Sequence, residues 1–241
     1  MRIGIVILTL CIFGSTGTAK APPGELASVE GVVSVVRKTK GPADDGNVAI
    51  WLKPVAEPGQ RNGENPLPRV RLKIVQQNRR FEPHFLVVPV GSVVDFPNVD
   101  PFFHNVFSLF DGKRFDLGLY EAGTSRSVPF NSPGVCYIFC NIHPEMSAVV
   151  VVVDTPYFAV SNRAGEFRVP NVPMGRYVLS VWHERHKPER PDEFPRDVRI
   201  SQGSNSVGVI RLIESVQVIV PHKNKYGHLY NAPPPQSPIY K

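Results

Sequence analysis

Seven consecutive residues, Cys140-Asn141-Ile142-His143-Pro144-Glu145-Met146, carry a thiol, an imidazole and a thioether at the spacing Cys-x2-His-x2-Met. Upstream, Asp100-Pro101-Phe102-Phe103-His104-Asn105 supplies a second imidazole. Two imidazoles and a thiolate in a trigonal set, with a weak axial thioether, form the ligand set of copper electron-transfer centres. Soft sulfur holds the reduced ion and imidazole suits both oxidation states. A geometry between the two preferences lowers the reorganisation that accompanies electron transfer. Zinc also accepts thiolate and imidazole, but a thioether is a poor zinc ligand. His104, Cys140, His143 and Met146 are therefore the expected metal ligands. Glu145 is expected to face solvent; the alternative is that its carboxylate replaces or supplements Met146.

The cysteines point the same way. After Cys11, which falls in the leader, the chain has Cys136 and Cys140. Four residues apart on one predicted strand, they stand ~13 Å from each other, whereas a disulfide needs less than about 7 Å between Cα atoms. They cannot pair. An exported chain that keeps a thiol in an oxidising compartment needs a reason for it, and ligation gives one for Cys140. Cys136 shares the parity of Ile138 and Cys140 and is expected to be a small buried hydrophobe. His84 reads as a surface residue at a strand start. His183-Glu184-Arg185-His186 lacks the helical His-Glu-x-x-His spacing of zinc proteases and reads as surface structure at a strand end.

The elements that must position these groups are strands. Proline, 25 of 241 residues, recurs along the whole chain, and no long segment keeps a helical apolar period. An apolar content of 42% against 20% charged allows a core and excludes wholesale disorder. Strands are predicted over 29–36, 48–52, 71–76, 85–90, 92–96, 125–130, 135–140, 148–153, 166–169, 176–182, 197–200 and 206–213. Residues 54–68 read as a linker, and the tail from Pro221 as polar and mobile.

Arg2, the apolar run 3–13 and the small residues 14–19 read as a secretory signal peptide over residues 1–19. That run is too short to cross a bilayer, so the mature chain is expected in the periplasm or outside the cell, without a membrane span. The charge of +6 is interspersed. Dense basic patches are confined to Arg69-Val70-Arg71-Leu72-Lys73 and Arg79-Arg80, so no nucleic-acid partner is expected.

On these residues, 68–154 resembles a cupredoxin. Phe81-Glu82-Pro83-His84 through Gly91 is similar to the early strands of that fold. Val94-Asp95-Phe96-Pro97-Asn98 with Asp100 and His104-Asn105 is similar to the segment holding its first histidine. Phe115-Asp116-Leu117-Gly118, and Pro133-Gly134 leading to Cys140, are similar to its approach to the cysteine. The Cys-x2-His-x2-Met spacing is that of short-loop cupredoxins such as amicyanin; plastocyanin has a longer gap before Met. The whole chain is similar to exported plastocyanin-like proteins described as methylamine-utilisation proteins. The resemblance implies one type 1 copper per chain on His104, Cys140, His143 and Met146. It implies that Asn105 supports the site from outside, with its N–H on the cysteine sulfur and its side chain tying the two loops. It also implies an edge-exposed His143 and an apolar patch of Pro101, Phe102, Phe103 and Pro144, where a protein redox donor and acceptor dock. Phe102 and Phe103 have core packing as their plain alternative.

Phe158 through Phe167, then Pro173-Met174-Gly175-Arg176-Tyr177, resembles a carboxypeptidase-regulatory-like β-sandwich, which implies a module without catalytic residues. The expected architecture is all-β, a Greek-key cupredoxin sandwich (68–154) plus a second, smaller sandwich (155–215) and a flexible tail (216–241). The N-terminal strands in 26–62 either complete the second sandwich, making it discontinuous, or extend the cupredoxin sheet. The expected function is electron carriage by a non-enzyme. Copper sequestration or delivery, and a non-redox surface binding module, are the alternatives.

Overall fold

In a computed structural model, the described residues are 26–37, 45–55, 67–109, 113–186, 194–214 and 223–230. The proposed leader, residues 1–19, lies outside them. All regular structure among the described residues is strand. In chain order the strands are β1 (Leu26–Val36), β2 (Ala49–Pro54), β3 (Arg71–Lys73), β4 (Val75–Gln77), β5 (Arg80–Glu82), β6 (Phe85–Pro89), β7 (Ser92–Pro97), β8 (His104–Ser108) and β9 (Phe115–Tyr120). They continue with β10 (Ser125–Phe130), β11 (Gly134–Phe139), β12 (Ser147–Val153), β13 (Phe158–Val160), β14 (Glu166–Pro173), β15 (Gly175–Trp182), β16 (Arg196–Ile200) and β17 (Ser204–Ile213).

Two sheets enclose the core around the candidate site. One has the order β6-β12-β11-β8-β9 and the other β10-β7-β3. Val88, Val94, Phe96, Val106, Val128, Phe130, Ile138, Val150 and Val152 pack between them, together with Cys140 and Met146. A second pair of sheets, β14-β1-β17 and β13-β2-β15-β16, encloses another core with Val29, Val33, Ile50, Leu52, Phe167, Leu179, Ile210 and Leu212. Strand β1 runs antiparallel to β14 and parallel to β17, and β2 lies between β13 and β15. Chain ends far apart in sequence are thus joined by backbone hydrogen bonds.

Strand β12 explains how the two cores meet. Its apolar run has no alternation, because both faces are buried. Ala148, Val150 and Val152 face the core around Cys140. Val149, Val151 and Val153 face outward, where they pack with Phe85 and Val87 against Ala49, Trp51, Phe158 and Trp182. In β2, Ile50 and Leu52 point into one core while Ala49 and Trp51 point into this interface, as a period of two requires. The Phe85 and Trp182 rings stack with centroids 5.8 Å apart. His84 adds a polar link: Nδ1–H donates to the Ser147 carbonyl at 2.9 Å and Nε2–H to Glu184 at 2.8 Å. The Glu184 hydrogen bond raises the His84 pKa against the opposing effect of burial. His84 and Glu184, expected as separate surface residues, are partners across the interface.

Three further expectations change. The strand predicted over 71–76 breaks at buried Ile74, because β3 pairs with β7 while β4 turns to pair with β5. Cys140 stands just beyond the end of β11 rather than within it. Residues 223–230 of the tail lie against the Cys140 loop through hydrogen bonds from Lys225 and Tyr230.

Gly165 marks a close approach between β1 and the turn before β14. Its φ is +80°, and an added Cβ would meet the Val33 carbonyl oxygen at 2.0 Å. Gly165→Ala should therefore destabilise the protein by at least about 2 kcal/mol, seen as a lower midpoint in chemical denaturation. An unchanged midpoint would contradict the packing of β1 beside this turn.

Candidate metal centre

The site forms where one sheet ends. β8 and β11 are neighbours, with Phe107 opposite Phe139, so His104 at the start of β8 lies beside the residue that follows β11. No strand was predicted over 104–108, and His104 is the first residue of one. The loop 140–146 closes on itself through the Cys140 N–H to the Met146 carbonyl at 3.3 Å and the Met146 N–H to the His143 carbonyl at 3.2 Å.

Three donor atoms converge. His104 Nδ1 and His143 Nδ1 are 3.1 Å apart. Cys140 Sγ lies 3.9 Å from the first and 3.6 Å from the second. A triangle with these sides has its centre about 2.1 Å from each corner, the length of an imidazole–metal bond and slightly below that of a thiolate–metal bond. His104, Cys140 and Met146 are fully buried, and His143 is 6% exposed. The edge-exposed His143 implied by the resemblance is thus corrected. The Phe102 ring stands 5.7 Å from His143 and edge-on to His104 at 5.2 Å, screening both imidazoles.

Asp100 decides which nitrogen of His104 faces the centre. Its carboxylate accepts Nε2–H of His104 at 2.8 Å, leaving Nδ1 as a lone pair aimed at the other donors. The same carboxylate accepts the N–H groups of Asn78 at 2.7 Å and Arg79 at 3.0 Å. Those donors reach it because Asn78 and Arg79 take left-handed φ values of 54° and 55° in the turn between β4 and β5. Burial works to raise the Asp100 carboxyl, but Arg79, His104 and Asn78 together hold it below its usual range. This role was missed in the sequence. The available signal was an acid four residues before the histidine, within the segment whose resemblance is to the first-histidine region.

The electrostatics keep both imidazoles neutral. Burial pushes His104 down against the pull of Asp100. Burial, followed by the neighbouring His104, lowers His143 to about 4. Burial raises the Cys140 thiol, opposed by the N–H groups of Asn105, Ile142 and His143 directed at its sulfur. Asn105 donates its side-chain amide to Asp116 on β9 at 2.7 Å. Its side chain thus ties β8 to β9, where the resemblance implied a tie to the cysteine loop. Cys136 is buried beside Ser108, its Sγ 3.3 Å from the hydroxyl, and burial pushes its thiol up to about 11. Phe103 is 55% exposed, Pro101, Pro144 and Glu145 are exposed, and Phe102 is half-buried.

No family model and no curated protein matches the chain. Solved structures similar to it are cupredoxins and a copper enzyme. A purple cupredoxin from Nitrosopumilus maritimus is 26% identical, with 34% of this chain and 99% of that one covered and a TM-score of 0.31. A copper-containing nitrite reductase from Thermus scotoductus is 24% identical, at a TM-score of 0.34; the match covers 50% of this chain and 28% of the reductase. An amicyanin variant in its Cu(I) form is 22% identical, with 34% and 82% covered and a TM-score of 0.33.

In the metal-free protein, the depressed His143 makes stability depend on pH. The unfolded chain takes up a proton near 6.5, the folded chain only near 4. The His143 contribution to stability is therefore complete above 6.5 and is lost as pH drops towards 4. The lowered Asp100 acts with the same sign at still lower pH, whereas the raised His84 acts with the opposite sign as pH rises above 6.5. Denaturant midpoints should decline across the window from 6.5 down to 4, and the His143 ring protons should titrate near its lower end. A His143 resonance titrating at its ordinary value would contradict the buried placement.

Proposed function

We propose that this chain is an exported type 1 copper protein that carries single electrons between protein partners. One copper per chain is held by His104, Cys140, His143 and Met146. The observation that carries the reading is the triangle of Nδ1, Nδ1 and Sγ, buried at the end of the sheet with a centre at bonding distance. Copper would supply the one-electron couple. The chain's residues do the rest. Asp100 holds the His104 proton on Nε2, so that the Nδ1 lone pair would be free to hold the ion. The N–H groups of Asn105, Ile142 and His143 stabilise negative charge on the Cys140 sulfur. Phe102 excludes water from the imidazoles. The buried Met146, bonded through its backbone to Cys140 and His143, would offer its thioether to the ion.

Partners dock at the apolar rim of Pro101, Phe103 and Pro144, with half-buried Phe102 beneath it as the contact nearest His143. The second sandwich serves as a non-catalytic module that resembles carboxypeptidase-regulatory domains, completed by the strands in 26–62. Burial of the ligands favours electron carriage over copper delivery, because a delivery site must open its ligands to an acceptor.

Copper(II) added to the mature protein should give an intense thiolate charge-transfer band that saturates at one equivalent. Cys140→Ser should abolish the band. Met146→Gln should keep the copper and shift the band, because the axial bond is weak. Cys136→Ser should leave the spectrum unchanged. A colourless one-to-one complex, or a band that needs Cys136 and not Cys140, would sink the assignment.

A further inference from the structure

Residues 223–230 form a compact turn of their own. Asn224 Oδ1 accepts the N–H groups of Tyr226 and His228 at 3.0 Å each, and the Asn224 N–H donates to the His228 carbonyl at 2.8 Å. Gly227 gives the turn its left-handed φ of +79°. This unit touches the metal loop at two places and strand β9 at a third. The Tyr230 hydroxyl donates to the Cys140 carbonyl at 2.6 Å. The Lys225 N–H donates to Asn141 Oδ1 at 2.9 Å. Lys225 Nζ donates to Asp116 Oδ2 at 2.7 Å, and the other oxygen of that carboxylate accepts the Asn105 amide at 2.7 Å.

These contacts close a circuit around the sulfur. One arm runs from Cys140 Sγ to the Asn105 N–H, through the Asn105 side chain to Asp116 and on to Lys225. The other runs from Tyr230 to the Cys140 carbonyl. We infer that residues 223–230 are a strap that fixes the backbone of the metal loop, with Tyr230 a positioning residue for Cys140. The strap acts on residues 105, 140 and 141, each a ligand or the neighbour of one, and makes its contacts without supplying a ligand atom. Its role rests on Cys140 being a ligand, as proposed above. A rigid loop resists the change in geometry that a metal imposes on entry and on oxidation, so the strap limits both.

The test uses Tyr230→Phe in the full mature chain, which removes the hydroxyl and keeps the ring. Lys225→Met serves as a second, independent break of the circuit. In the metal-free protein, amide hydrogen exchange at residues 141–143 should quicken about fivefold in Tyr230→Phe, as loss of one hydrogen bond predicts. Exchange in β1 and β14 should stay as in the parent. Lys225→Met should quicken the same amides, and copper release to a chelator should quicken in both variants. Unchanged exchange at 141–143 in both variants would overturn the strap, as would quickening spread evenly through both sandwiches or identical copper release. Failure of the parent to take up copper would refute the proposed function instead, and the metal-free exchange would still decide the strap.

Discussion

A buried imidazole lone pair must meet a proton or a cation, and the placement of His104 imposes that requirement on the surrounding fold. Its Nε2 proton is committed to Asp100, so its Nδ1 can only accept. At 3.1 Å from His143 Nδ1 and 3.9 Å from Cys140 Sγ, it can take a proton from either neighbour or share a metal ion with both. A buried acceptor left unsatisfied costs about 1–3 kcal/mol. The proton and the ion are therefore exchangeable occupants of one position, and Asp100 makes them so. Without that carboxylate, the ring could adopt the other tautomer and turn an N–H toward the centre. The left-handed turn at Asn78 and Arg79 exists, in this light, to bring two more N–H donors to Asp100 and keep it ionised while buried.

The second sandwich is not independent of this arrangement. The outer face of β12 is buried by Trp51, Phe158 and Trp182, which makes the strand leaving the metal loop part of two cores at once. Ser147, the residue after Met146, has its carbonyl held by His84, and His84 is held in turn by Glu184 beyond β15. Displacing the second sandwich would expose the outer valines and release that carbonyl. The packing that joins the modules thus also fixes the end of the loop where Met146 stands.

Side-chain chemistry at short spacing was legible in the sequence, and so were the strands with a clear apolar run. Cys140, His143, Met146 and His104 stand out because four soft or imidazole donors are rare at such intervals. β10 was readable from its own residues, and β12 because it is uniformly apolar. β8 was not, because His104, Asn105 and Ser108 are polar yet buried, so the strand shows no alternation. The function of Asp100 depends on donors from a turn more than 20 residues upstream, and that pairing exists only after folding. The tail escaped for a similar reason. Its composition is that of a mobile segment, and its order comes from one asparagine side chain and from partners over 80 residues away.

The two cysteines show how neighbours work against burial in setting the chemistry of a side chain. Cys136 and Cys140 lie on or just past the same strand and are almost equally hidden, at 1% and 0% exposure. Cys136 meets a serine hydroxyl and the Lys113 carbonyl, and an acceptor such as that carbonyl favours a thiol that keeps its proton. Cys140 meets the backbone N–H groups of Asn105, Ile142 and His143, donors that favour a sulfur that has lost it and that work against the upward push of burial. The difference arises because β11 ends between them. Within a strand most backbone donors are committed to the ladder, whereas Ile142 and His143, in the loop beyond it, and Asn105, where β8 shifts register against β9, turn theirs towards the sulfur. A strand end therefore does more than aim Cys140 at the histidines. It frees two of the three N–H groups, those of Ile142 and His143, that are directed at the sulfur.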